Sequence, residues 1–140
     1  MHFFSNVIVT FMFLSRLEYT FGPLKTVICY FLTGIAGNIF SIVVQRQRNA
    51  ISAGASTSLF GVIGLILGYL IINWKGLDLV GPAMKCQIYC IAFFIIIFII
   101  IFTPSAATDS GGVDYYGHLG GFLAGVWLSC IHNTIINTNR

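Results

Sequence analysis

Residues 53–73 read Ala53-Gly54-Ala55-Ser56-Thr57-Ser58-Leu59-Phe60-Gly61-Val62-Ile63-Gly64-Leu65-Ile66-Leu67-Gly68-Tyr69-Leu70-Ile71-Ile72-Asn73, and this stretch decides the fold. It lies in a run from 49 to 74 without Asp, Glu, Lys or Arg. About 20 mostly apolar residues suffice to cross a bilayer as a helix. Working outward, residues 1–15, 26–45, 86–108 and 115–139 are equally free of charge. The first of these reaches spanning length only by continuing past Arg16 toward Phe21. Across the 140 residues, 57% are hydrophobic and 8% charged, where soluble proteins carry roughly 25% charge. That supply of charge cannot cover a soluble surface. A net charge of +3 with no basic stripe leaves no phosphate footprint, so nucleic acid is excluded as a partner.

In lipid the backbone must satisfy its own hydrogen bonds, so the five runs predict five helices near 3–20, 25–45, 56–73, 84–102 and 115–134. The fold class expected is all-α, a polytopic membrane helical bundle with about five spans. Gly22-Pro23 ends the first span, Gly81-Pro82 sits just before the fourth, and Pro104 closes it. Basic residues set the orientation. Arg16, Lys25, Lys75, Lys85 and Arg140 fall on one side, and Arg46 and Arg48 on the other. The expectation is therefore a multi-pass membrane protein with its C-terminus in the cytosol. The loop 103–114, with Asp109 and Asp114 and no basic residue, would lie outside or in a lumen.

Met1-His2-Phe3-Phe4 carries no basic n-region and no small-residue cleavage site follows, so a removable signal peptide is not expected. The chain opens almost inside its first span, which leads to the expectation of a missing upstream segment. Cys29, Cys86, Cys90 and Cys130 fall in or beside spans without a Cys/His set of metal spacing. They read as small hydrophobes, and neither a metal nor a small-molecule cofactor is expected.

Polar residues inside a span are costly and need a reason. Here they are His2 and Asn6 in the first span, Asn38 in the second, Ser56 opening the third and His118 opening the fifth. By the orientation above, His2, Asn6, Ser56 and His118 share the non-cytosolic side. Ser56 has two readings: a helix cap, or a nucleophile beside free N–H groups that could bind an oxyanion. His118 could be a structural histidine or the base that activates the serine. Gly117, Gly121 and Gly125 leave one face of the fifth span bare, and Gly61, Gly64 and Gly68 do the same on the third. Such faces let membrane helices approach closely, and a crossing here would bring His118 to Ser56. His2 and Asn6, four apart on one face, are oxyanion donors or partners in an interhelical hydrogen bond. Asn38 reads as polar glue between helices. Asp114, four residues before His118, reads as a helix cap in preference to a third catalytic member.

These residues together resemble the rhomboid family of intramembrane serine proteases. His2-Phe3-Phe4-Ser5-Asn6 resembles the family's H-x-x-x-N helix, with Leu17-Glu18 and Phe21-Gly22 at its end. Leu32-Thr33-Gly34-Ile35-Ala36-Gly37-Asn38 is similar to the next helix, and Gly54-Ala55-Ser56 to the nucleophile motif. Gly117-His118-Leu119-Gly120-Gly121 with Gly125 resembles the histidine helix. The resemblance is collinear over nearly the whole chain. It implies that residues 1–140 are one rhomboid-like membrane protease domain, an endopeptidase acting on transmembrane protein substrates within membrane lipid. Ser56 would be the nucleophile and His118 the base, with His2, Asn6 and the Ser56 backbone N–H forming the oxyanion hole. Gly54, Phe60, Gly117 and Gly121 would support the site, Phe60 by packing its ring on the histidine. The fourth span would be a substrate gate and the 103–114 loop a cap. The family core has six helices, so the resemblance also implies that the first core helix is missing upstream. Thr57 stands where the family commonly has a glycine, which would put a side chain beside the nucleophile. The alternative function is that of a pseudoprotease, a rhomboid-like protein that binds membrane clients without cutting them.

Overall fold

The computed structural model describes residues 2–45, 55–73 and 114–132, together with Cys86, Tyr89, Cys90 and Phe93; for residues 2–6, 8, 9, 16 and 132 only the backbone is described. Among the described residues four helices run as continuous segments: α1 (His2–Phe21), α2 (Pro23–Val44), α3 (Ala55–Ile72) and α4 (Tyr115–His132), the last being the fifth predicted span. Their ends fall within two residues of the expected ones. There is no strand among the described residues. The fourth predicted span lies outside the described residues except for Cys86, Tyr89, Cys90 and Phe93, which are helical. The 103–114 loop lies outside them except for Asp114. The result is an all-α bundle, part of a polytopic one. Its helices α2 and α3, at 22 and 18 residues with mean hydropathy 2.1 each, are long and apolar enough to cross a membrane.

A single residue separates α1 from α2. Gly22 has φ 85°, and Pro23 follows as the first residue of α2. A side chain would be strained at that φ, and proline suits the first helical position because it has no N–H to leave unpaired. The turn is closed by the Gly22 N–H donating to the Glu18 carbonyl at 2.8 Å and by the Thr26 hydroxyl donating to the Gly22 carbonyl at 2.9 Å.

Helix α3 is the centre of the bundle. From Thr57 to Ile66 every residue but Phe60 is buried, and α1, α2 and α4 all pack on it. Two kinds of contact hold it. Against α1 the packing is of large side chains, Phe13 and Leu17 meeting Val62, Leu65 and Ile66 in one hydrophobic cluster. Phe21 sets its ring edge-on to Tyr69 at 5.5 Å. Against α2 and α4 the packing is of glycines on backbone and small polar side chains. Gly34 of α2 lies on Ser58, Gly61 on Thr33, and Gly68 on Ser129 of α4. Gly125 lies on the Gly61 carbonyl oxygen, and Gly64 on that of Phe122.

Helix α2 shows the inverted polarity expected of a lipid-facing segment. Its buried residues are Thr26, Thr33, Gly34, Gly37 and Ser41, whereas Leu24, Phe31, Ile35, Ile39 and Ile42 are exposed. With lipid as solvent, small and polar residues are what a helix gains by turning toward its neighbours.

A methyl group at Gly125 would run into the Gly61 carbonyl, which cannot rotate away as a side chain could. Gly125→Ala is therefore expected to lower stability by about 1–3 kcal/mol. Ile39→Ala, on the exposed face of α2, is expected to change it by less than about 0.5 kcal/mol. Equilibrium unfolding in mild detergent measures both.

Candidate active site

Ser56 is the second residue of α3 and His118 the fourth of α4. Though 62 positions apart in sequence, Ser56 Oγ and His118 Nε2 lie 2.8 Å apart, a hydrogen bond whose direction follows from the imidazole tautomer. Of the two readings of Ser56, the cap is set aside: the residue lies inside the first turn of α3, with its hydroxyl on the imidazole. His118 is 6% exposed, and Ser56 is half-buried. Phe60, one turn beyond Ser56, holds its ring 4.8 Å from the imidazole with the planes tilted by 37°. The ring restricts the swing of the histidine toward α3. The expected packing of Phe60 on the histidine is thus present.

The pair meets because three backbones converge directly beneath it. Gly37 of α2 faces the Thr57 methyl group, the Gly117 carbonyl and the Gly121 N–H. Gly121 in turn lies on the Thr57 carbonyl. A side chain at Gly37 or Gly121 would wedge these helices apart beside Thr57, one residue from the serine. The same junction answers what Thr57 does. It is 2% exposed, with its methyl group packed toward Gly37. The Thr57 side chain therefore belongs to the α2 interface, although it is the neighbour of Ser56 in sequence.

Asp114 precedes α4 and caps it as expected: Oδ1 accepts from the Gly117 N–H at 2.9 Å. The same oxygen accepts from the Ser41 hydroxyl at 2.6 Å and from Gln45 Nε2 at 2.9 Å, both on or just past α2. Neither Ser41 nor Gln45 was expected in the site region. Their signal was available, because they are polar residues four apart in an otherwise apolar stretch. No described contact shows Asn38 in its expected role as glue. Its Oδ1 is buried and meets no donor among the described residues, and Ser41 and Gln45 join α2 to α4 instead.

His2 and Asn6 belong to the first two turns of α1, but their side chains lie outside the described residues, as does Gly54. Chemically, the described part offers a hydroxyl in contact with an imidazole at the start of α3. The first backbone N–H groups of a helix have no intrahelical acceptor and carry partial positive charge.

The rhomboid domain family matches residues 1–133 of this chain. The chain belongs to the rhomboid family. Among its relatives, Rhomboid-like protease 3 of Toxoplasma gondii is 37% identical over 133 residues, which are 95% of this chain and 47% of that protein. RHOMBOID-like protein 5 of Arabidopsis thaliana is 33% identical over 134 residues, 94% of this chain and 39% of the relative. Inactive RHOMBOID-like protein 8 of Arabidopsis thaliana is 32% identical over 108 residues, 77% of this chain and 27% of the relative. This rhomboid chain thus spans less than half the length of these relatives. No solved structure gives a significant match to it. Family membership and the apolar helices make it a membrane protein.

Gly37→Val, which touches neither the serine nor the histidine directly, is expected to break their contact by spreading the three-helix junction. The ¹⁵N shift of His118 Nε2, recorded in bicelles, should move to that of an imidazole without the Ser56 partner.

Proposed function

We propose that this rhomboid is an intramembrane serine endopeptidase that cleaves transmembrane segments of membrane proteins with a Ser56–His118 dyad. The observation that carries the reading is the 2.8 Å contact between Ser56 Oγ and His118 Nε2 at the adjoining starts of two apolar helices. A serine hydroxyl is a weak nucleophile until a base within about 2.6–3.2 Å takes its proton, and neutral imidazole does so near pH 7. Ser56 attacks the scissile carbonyl as His118 accepts the hydroxyl proton, and His118 returns that proton to the leaving amine. Water then attacks the acyl-enzyme by the same route, with His118 again acting as base.

The tetrahedral oxyanion forms beside the start of α3, where the backbone N–H of Ser56 donates to it. By family resemblance His2 and Asn6 supply the other donors, Gly54 leaves room for the substrate backbone, and Gly117 and Gly121 support the site by letting the helices close around it. Residues 1–140 act as the rhomboid protease domain, multi-pass in the membrane with the C-terminus cytosolic, as the distribution of Arg and Lys favours. The substrate helix enters sideways from lipid past the fourth span and unwinds locally to expose a carbonyl. The second reading, a rhomboid that holds membrane clients without cutting, draws on the similarity to the relative named inactive. The hydrogen-bonded serine and histidine favour catalysis, since a protein that only binds has no need of them.

A fluorophosphonate probe reacts only with an activated serine and separates the two readings. Labelling at Ser56 and cleavage of a labelled transmembrane substrate in proteoliposomes are both expected from the full-length protein. Ser56→Ala and His118→Ala should each abolish cleavage, with the double variant no worse than either, because the two act as one unit. Asn6→Ala should cost about 10²–10³ in kcat, equivalent to about 2.7–4 kcal/mol, as for loss of one oxyanion donor. Cleavage that persists in both Ser56→Ala and His118→Ala would exclude the dyad.

A further inference from the structure

The faces that bring α4 to α3 and α2 carry glycines: Gly121 lies on the Thr57 carbonyl, Gly125 on the Gly61 carbonyl and Gly120 against the Phe40 side chain. These contacts set how closely the helices approach. His118 tolerates little displacement of α4, because its ring must meet Ser56 at hydrogen-bond distance. A directional polar contact sharpens the placement of the start of α4. The Asp114 carboxylate lies one turn before His118 and joins two elements through one oxygen. Ser41 and Gln45 donate to Oδ1 from the end of α2, and Gly117 donates from α4. Gln45 Nε2 also donates to Ser41 Oγ at 2.7 Å, so the three side chains form a closed triangle. Its α2 side is itself anchored, with the Gln45 N–H donating to the Ser41 carbonyl at 2.8 Å. On the α4 side, Asp114 main-chain oxygen accepts from the His118 N–H at 3.1 Å. A Cβ at Gly117 would press on the carboxylate, so glycine before the histidine leaves the clamp its room.

We infer that Asp114, held by Ser41 and Gln45, is a positioning residue that sets the register of α4 on α2 and so delivers His118 to Ser56. The inference rests on the proposed dyad and adds to it residues outside the reacting groups. Asp114 donates nothing to the reaction; its effect reaches the substrate through the placement of His118. Directional polar contacts between helices are well suited to specifying register.

The experiment compares Asp114→Ala, Asp114→Asn, Ser41→Ala and Gln45→Leu in the full-length protein in proteoliposomes. It reads kcat and KM per folded molecule, the fluorophosphonate labelling rate and the ¹⁵N shift of His118 Nε2. Asp114→Ala is expected to lower kcat and labelling about 100-fold, the effect of a displacement near 1 Å, with KM little changed. Asp114→Asn keeps an acceptor oxygen and should restore most of the rate. Ser41→Ala and Gln45→Leu each remove one donor and should cost about five- to tenfold, the worth of one hydrogen bond. Ser41→Ala should add little to Asp114→Ala, since both break the same clamp. If Asp114→Ala fails to fold, the Ser41 and Gln45 variants, which keep the Gly117 cap, carry the test. Unchanged kcat and His118 shift in the variants that fold would overturn the inference while leaving the dyad standing. Conversely, a wild-type protein that neither labels nor cleaves, but whose His118 shift still moves in Asp114→Ala, would remove the protease reading and keep the clamp.

Discussion

The architecture depends on helices α3 and α4 touching backbone to backbone. Gly125 lies on the Gly61 carbonyl, Gly64 on the Phe122 carbonyl and Gly121 on the Thr57 carbonyl, along the length of the crossing. With no side chains between them, the two helix axes can come closer than the roughly 8–10 Å usual for packed helices. That closeness is what allows the short side chain of serine, which extends only one atom beyond Cβ, to reach an imidazole on the neighbouring helix. A leucine interface would hold the same two residues too far apart for any proton to pass.

The second constraint is the solvent. In water, a helix such as α2, with Phe31, Ile35, Ile39 and Ile42 outside and Thr33, Gly34, Gly37 and Ser41 inside, would be turned inside out. In lipid the outward apolar residues lose nothing, and dispersion and hydrogen bonding decide which face turns inward. The inward-facing polar groups then serve two ends. Thr33 and Ser58 fill the small gaps opposite glycines, while Ser41 and Gln45 fasten α2 to Asp114. Other buried hydroxyl-bearing residues among those described serve packing, as Ser129 does against Gly68.

Much of this was legible in one dimension. Gly22-Pro23 marks the turn between α1 and α2 because only glycine accepts φ 85° easily and only proline arrives already shaped for a first helical turn. The recurrence of glycine at every fourth position on α4 announces a bare face, and the rarity of polar residues in the spans draws attention to Ser56 and His118. Other features were not legible. Asn38 looks as good a candidate for interhelical glue as Ser41 does, and α2 alone does not say which of them meets a partner. The outcome depends on rotation of the helix about its axis, set by Thr33, Gly34 and Gly37 against α3 and α4. Thr57 illustrates the same limit. Read along the chain it is the neighbour of Ser56, yet in a helix adjacent residues point about 100° apart, and here Thr57 belongs to the α2 interface.

From composition and spacing alone came the membrane class, the helical ends and the short set of residues able to do chemistry. These depend on local properties: transfer of side chains to lipid, backbone conformations open to glycine and proline, and the period of a helix. Which of those residues touch was decided by the tertiary structure. Contact between positions 56 and 118 requires a particular crossing of α3 and α4 and a particular rotation of each. Both follow from the summed fit of many glycine, threonine and serine contacts along the interface, and no single stretch of sequence contains that sum.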